Sequence, residues 1–412
     1  MATPLELTQR WPIVVACHFG IATGVTGLPF YTLGLFVGPL EAERGWSRGE
    51  TQVMFTLFTF VGLACVPLVG TLVDRYGVRP VALTSMLGAS IGFALLGYGS
   101  DSLSGYYLCG ALLAVLAAGT SPISWTRAIG GWFDRQRGLA LGLALAGTGL
   151  SAFLAPAYVA WLTAQFSWQT AYLGLATLPL LAWPVVYALL REPPPVSAIR
   201  TGAQSSASET DPDLPTAMRS YRFWVIALGF FAVSMGIGGS IPNLVPLMTD
   251  AGIARADAAA LVGGLGLSVI GGRLLAGWLI DRLWAPGVAA VMLAVPAVSA
   301  LLLAQETLAP ATLPLAVALI GLAAGAEFDL IAYLVSRYFG MTHYAKIYAL
   351  LYMVFMFGAG IAPPLFGYWY DAAGSYRDIL YAAAGAFVLG ASALLTLGRY
   401  PDPRSAQAQA SM

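Results

Sequence analysis

Runs of about twenty apolar residues alternate with short polar breaks along almost the whole of this 412-residue chain. At ~1.5 Å per helical residue, each run matches the ~30 Å hydrocarbon core of a bilayer, so the pattern predicts membrane-spanning helices. Spans are expected near 12–40, 50–72, 81–99, 105–131, 138–162 and 168–190, then near 221–249, 257–280, 287–305, 311–337, 345–369 and 378–397. A longer break, 191–220, is rich in Pro, Ser, Thr and charge and reads as a flexible linker. The predicted fold is an all-α membrane protein of twelve transmembrane helices in two six-helix pseudo-symmetric halves. Residues 1–190 form the first bundle, 191–220 a cytoplasmic linker, and 221–412 the second bundle with a short tail.

The two halves repeat. Gly70-Thr-Leu-Val-Asp74-Arg75 closes the second span, and Gly277-Trp-Leu-Ile-Asp281-Arg282 closes the eighth, 207 positions later. Pro156 and Pro363 recur in the fifth and eleventh spans at the same offset. Two parallel six-span halves around a midplane site are the architecture of a rocking transporter. Corresponding Gly/Pro-interrupted stretches, Gly20 to Tyr31 in the first span and Gly236 to Asn243 in the seventh, are expected to line the pathway. Close helix packing through glycine is the alternative account of each.

Composition narrows the classes. The chain is 58% hydrophobic and 10% charged, against about 25% charged residues in a soluble domain. Zero net charge argues against nucleic acid as a partner. Cys17, Cys65 and Cys109 lie in apolar runs without a CxxC pair, and His18 and His343 are too few and too far apart for a metal site. No Walker A, Ser-His-Asp or zinc pattern occurs, so neither an enzyme nor a cofactor is expected. The first apolar run is long for a signal core and is expected to remain as a span. With both ends inside, fourteen of the twenty basic residues fall in cytoplasmic segments and four outside. The positive-inside rule therefore predicts cytoplasmic termini, in a bacterial-type inner membrane.

Four charged residues lie well inside predicted spans: Arg127, Arg273, Glu327 and Asp329. Arg273 precedes the water boundary at Asp281 by eight residues, about 12 Å of helix. A guanidinium keeps its charge, and at the bilayer centre it costs at least ~2.5 kcal/mol, so it is expected to face a cavity. Position 66, its repeat counterpart, is Val, and an unmatched charge at a symmetric position favours a substrate site over scaffold. Glu327 and Asp329 are two residues apart, about 200° around a helix, so they cannot both face one cavity. Trp125, Phe328, Tyr333, Tyr352 and Phe355 are candidates for an apolar wall.

Gly70-x-x-x-Asp74-Arg75-x-Gly77-x-Arg79 resembles the signature loop between the second and third helices of the major facilitator superfamily. Trp132-Phe133-x-x-x-Arg137-Gly138-x-Ala140-x-Gly142, followed by Ala146-Gly147-x-Gly149, resembles the monocarboxylate porters and the oxalate/formate antiporters. Pro29 late in the first span and Arg273 four residues before Gly277 also match. The resemblance implies that Arg273 holds a substrate carboxylate. Three positions depart from the family pattern. Phe30 stands where animal monocarboxylate porters carry a lysine, and Val269 where they carry an aspartate. The eleventh span lacks the second basic residue of the oxalate antiporter. The first two departures speak against the usual proton relay, the third against a small dianion.

The expected function is secondary transport of a monocarboxylate or similar small organic anion by alternating access, with a proton, in a protein acting as a monomer. Arg273, Tyr31, Asn243 and Tyr333 are the candidate substrate residues, and Glu327 and Asp329 the candidate proton carriers, Asp329 slightly ahead. Asp74, Arg75, Arg79, Asp281 and Arg282 are expected to latch the cytoplasmic side. The rivals are an exchanger without proton coupling, an efflux pump for lipophilic compounds, and a membrane sensor or enzyme; Arg273 argues against cationic drugs.

Overall fold

The computed structural model describes residues 6–133, 136–192, 212–340 and 342–400, and among them every regular element is helical. In chain order these are α1 (Glu6–Ala22), α2 (Leu28–Arg44), α3 (Arg48–Tyr76), α4 (Val78–Tyr98), α5 (Leu103–Leu116), α6 (Pro122–Trp132), α7 (Arg137–Leu145), α8 (Gly147–Gln165) and α9 (Trp168–Leu189). After the short α10 (Leu214–Arg219) follow α11 (Tyr221–Asp250), α12 (Arg255–Ile280), α13 (Ala285–Leu303), α14 (Leu313–Phe339), α15 (Tyr344–Ala373) and α16 (Arg377–Ala393). Among the described residues, ten segments are long and apolar enough to cross a membrane, with α7 and α8 taken together. The first and fourth expected spans are laid down as two pieces each, α1/α2 and α5/α6. Most of the expected linker, 193–211, lies outside the described residues.

Local chemistry sets the ends. Ser47 caps α3 through the Glu50 N–H while the Glu50 carboxylate accepts from the Ser47 N–H, a reciprocal capping box. Gly77, at φ 90°, turns the chain between α3 and α4 in a conformation that excludes other L-residues. The break in the fourth span follows from Ser121-Pro122: the residue before proline is driven out of helical geometry, and proline suits the first position of the next helix. The break in the first span, residues 23–27, lies against it, with the Val25 N–H donating to Thr120 Oγ1 at 3.1 Å.

The paired interruption expected from the repeat occurs in one half. The first span breaks, whereas the seventh, α11, runs through Gly236, Pro242 and Pro246 without a gap. Ile237 and Gly238 of that stretch still reach the space between the halves, while its other glycines and Pro242 serve close approach. A Cβ on Gly34 of α2 would collide with the Pro242 carbonyl of α11, so these two helices touch backbone to backbone.

Helices of the two halves pack as α3 on α15, α8 on α12 and α2 on α11. Outward, Leu108, Leu181, Val291 and Leu389 are 61–72% exposed, the apolar exterior of a multi-pass membrane protein. The end of the molecule carrying α3's C-terminus, the start of α4 and the end of α9 is here termed the linker face. The opposite end, where α3 begins and α11 ends, is the far face.

Candidate functional site

A cavity of about 270 Å³ lies between the halves, lined from α2, α3, both chain breaks, α11, α12, α14 and α15. Among the described residues, two charged side chains line it, Arg273 and Glu327. Glycine brings them together. A Cβ on Gly325 of α14 would strike the Val269 carbonyl and lie 3.0 Å from the Arg273 nitrogen, and one on Gly272 would strike the Leu322 carbonyl. Small residues thus seat α12 directly on α14, the way membrane helices achieve contact without a hydrophobic drive.

Arg273 is 7% exposed. Its Nη1 lies 3.6 Å from Asp329 Oδ1, an ion pair too long for a hydrogen bond. Nε and Nη1 have no hydrogen-bond partner, nor has Oε2 of Glu327, which is 5% exposed. A buried charged group left without partners costs more than the ~1–3 kcal/mol of a neutral one, so the guanidinium of this cavity-lining residue carries unsatisfied donors. The two carboxylates divide as their spacing requires: Glu327 faces the cavity, while Asp329 reaches Arg273 on the side toward α12. Tyr31 lines the cavity within electrostatic reach of both Arg273 and Glu327.

Of the other expected residues, Phe328, Tyr352 and Phe355 line the cavity. Trp125 is fully buried beneath α1, where a Cβ on Gly20 would run into its ring, and its Nε1 donates to the Thr120 carbonyl at 2.9 Å. Tyr333 lies five residues of α14 past Phe328, off the cavity and packed against the core. Asn243 is off the cavity as well. It exchanges hydrogen bonds with Gln52 at 2.9 and 3.1 Å, donates to the Gly239 carbonyl at 2.8 Å and accepts from Tyr376 at 2.9 Å. With its amide saturated, Asn243 serves a seal. Arg127, expected deep in the membrane, has a 43% exposed side chain toward the linker face, where it pairs with Asp74. The reason is the chain break at residues 118–121, which resets the register of α6.

That seal closes the far face and was not foreseen. Arg48, 7% exposed, grips Asp250 of α11 through two hydrogen bonds of 2.6 and 2.8 Å, and also reaches Glu41 at 3.2 Å. Its guanidinium lies 3.7 Å from the Tyr370 ring centroid. The backbone N–H groups of Arg48 and Gly49, orphan donors at the start of α3, are taken by Asp371 of α15 at 3.1 and 2.9 Å. Thr56 donates to the Gly360 carbonyl at 2.7 Å. These hydrogen bonds and ion pairs joining the halves belong to this side of the cavity. A signal for it exists in the repeat: Gly45-Trp-Ser-Arg48 is matched by Gly252-Ile-Ala-Arg255, both glycines having positive φ.

On the linker face the expected latch residues stay within their own halves. Arg75 lies over Tyr76, Arg282 donates to the Trp278 carbonyl, and Asp281 is exposed. Arg79 donates through Nη2 to the Tyr187 carbonyl, and Glu192 caps α4 by accepting from the Val78 and Arg79 N–H groups.

Comparison with known proteins agrees with this fold. The family model described as Major Facilitator Superfamily matches residues 19–341 and 226–411, and the chain belongs to that family of membrane transporters. It is 27% identical to human monocarboxylate transporter 11 over 93% of this chain and 82% of that protein. It is 28% identical to bovine monocarboxylate transporter 13 over 97% and 92%. A bacterial homologue of the human lysosomal transporter Spinster, solved inward-facing and unoccupied, superposes with a TM-score of 0.70 at 15% identity, covering 98% of this chain and all of that one.

Proposed function

We propose that this protein is a secondary transporter of a monocarboxylate, moving it by alternating access of the central cavity together with a proton. The observation that carries this is Arg273, a buried guanidinium on the cavity wall with two unpartnered N–H donors. A carboxylate is the planar acceptor that suits a guanidinium fork. The names of the relatives support the same substrate class. Tyr31 assists from α2.

Charge balance supports the proton. Arg273 is already opposed by Asp329 on one side, and Glu327 lines the cavity with its Oε2 lacking a hydrogen-bond partner. A substrate carboxylate and an ionised Glu327 would repel each other at the same guanidinium. Protonating Glu327 removes that conflict, so Glu327, rather than Asp329, is the better proton carrier.

In this reading residues 1–190 and 221–412 rock as two bundles about the linker 191–220. The linker face is cytoplasmic, in a bacterial-type inner membrane, which makes the far-face seal the outer gate and the conformation inward-facing. Asp74, Arg75, Arg79, Asp281 and Arg282 latch the cytoplasmic side in the opposite state, and the monomer is the transporting unit. Counterflow of labelled monocarboxylates in proteoliposomes tests the proposal. Exchange that saturates and stops on Arg273→Ala supports it; exchange of neutral or cationic lipophiles instead would favour the efflux reading.

A further inference from the structure

The cavity walls say more about the substrate than its charge. On the first half Phe30, Phe55 and Phe58 form one cluster, with ring centroids 5.7 and 5.9 Å apart. On the second half Phe328, Tyr352 and Phe355 form another, with centroids 5.1 to 6.5 Å apart. Rings pair within each cluster, and none of these rings pairs with a ring of the other. The cavity of about 270 Å³ is thus lined by two separate aromatic clusters, one on each half, together with Arg273 and Glu327.

A short acid would satisfy Arg273 yet leave both walls facing unfilled space. A saturated chain would fill the volume without using the quadrupoles of the rings. An aromatic ring can do both, stacking or meeting edge to face on either side. Arg273 and Phe328 line the same cavity of about 270 Å³, which suits a ring joined to its carboxylate by a short arm.

We propose that the transported acid is an aromatic monocarboxylate of the arylacetate type, its carboxylate on Arg273 and its ring between the two aromatic clusters. This rests on the carboxylate reading above and adds the chemistry of the substrate's body. Because one wall belongs to each half, a bound ring touches both and links occupancy to their relative motion.

The test uses the full-length protein in proteoliposomes, with counterflow of labelled phenylacetate, cyclohexylacetate and lactate, and with phenylacetamide as an uncharged competitor. Phenylacetate is expected to exchange about three- to tenfold more efficiently than cyclohexylacetate. Lactate should be weaker still, and phenylacetamide should not compete. Cyclohexylacetate or lactate exchanging as well as phenylacetate overturns the aromatic inference and leaves the carboxylate reading standing. Phenylacetamide competing as well as phenylacetate, or no exchange of any acid, overturns the carboxylate reading and this inference with it. In Phe55→Leu and Phe328→Leu the phenylacetate preference should shrink toward unity; a preference unchanged in both overturns the ring clamp, since general damage lowers all acids alike.

Discussion

Arg48 and Asp250, 202 positions apart in the chain, meet across the two halves through paired N–H···O bonds of 2.6 and 2.8 Å. The Arg48 side chain is 8% exposed and that of Asp250 31%, so the pair is only partly screened by water. It sits among Tyr370, Tyr376 and Asp371, where α3, α11 and α15 converge.

Arg48→Ala should loosen the far face. Breaking a buried pair costs up to ~3–5 kcal/mol, and partial exposure brings this nearer ~1–2 kcal/mol, roughly a tenfold shift in a conformational equilibrium. The reporter is Ser240→Cys, buried in α11, in a background lacking Cys17, Cys65 and Cys109. Maleimide labelling of the purified protein in detergent should accelerate about tenfold with Arg48→Ala. An unchanged rate would remove Arg48 from the seal.

Gly34→Val tests the backbone contact behind that pair. A side chain there meets the Pro242 carbonyl, so α2 and α11 must separate. Ser240→Cys should again label faster, and transport should fall. Gly385→Ala, a helical glycine with open space around its missing Cβ, is the control and should do neither. Equal behaviour of the two glycine variants would show that the contact is dispensable.

Arg273→Lys keeps the positive charge and loses the planar fork. Exchange should drop at least about tenfold, with the protein still monodisperse in detergent. Substrate affinity measured by ligand-induced thermal stabilisation should fall in parallel. Wild-type exchange in the lysine variant would mean that a point charge suffices and that carboxylate geometry is not read at this position.

Glu327→Gln and Asp329→Asn separate proton coupling from charge balance. Glu327→Gln should retain counterflow while losing accumulation driven by an imposed pH gradient. Asp329→Asn removes the partner at 3.6 Å and leaves Glu327 facing the cavity, so gradient-driven uptake should persist at altered affinity. Accumulation intact in Glu327→Gln and lost in Asp329→Asn would exchange the two roles.

The class of fold was legible before any contact was known, because a bilayer leaves the chain few options. Twenty apolar residues cannot leave backbone groups unpaired in hydrocarbon, so each run must become a helix, and the run lengths set its span. Arg273 was legible for the same reason: a permanent charge in such a run must face protein or water. The spacing of Glu327 and Asp329 likewise showed that they would face different ways.

Which carboxylate faces the cavity depends on the rotation of α14 against α12, and the glycine contacts at Gly272 and Gly325 set that rotation. Nothing in a run of apolar residues encodes it. Asn243 looked like a pathway residue because it follows a Gly/Pro-rich stretch, yet α11 stays helical there and turns the amide toward Gln52. Arg127 looked buried because its flanks are apolar, until the break at Ser121-Pro122 displaced α6 and brought it to Asp74.

By itself the sequence determined what the bilayer and local stereochemistry enforce: the helical apolar runs, their repeat, the turns at glycine and proline, and the presence of one unremovable charge within a run. Tertiary structure alone decided the far-face seal, the partner of each buried carboxylate and the two aromatic walls. Those features join residues such as Gln52 and Asn243, 191 positions apart. Such contacts arise only when the two bundles meet in a particular orientation.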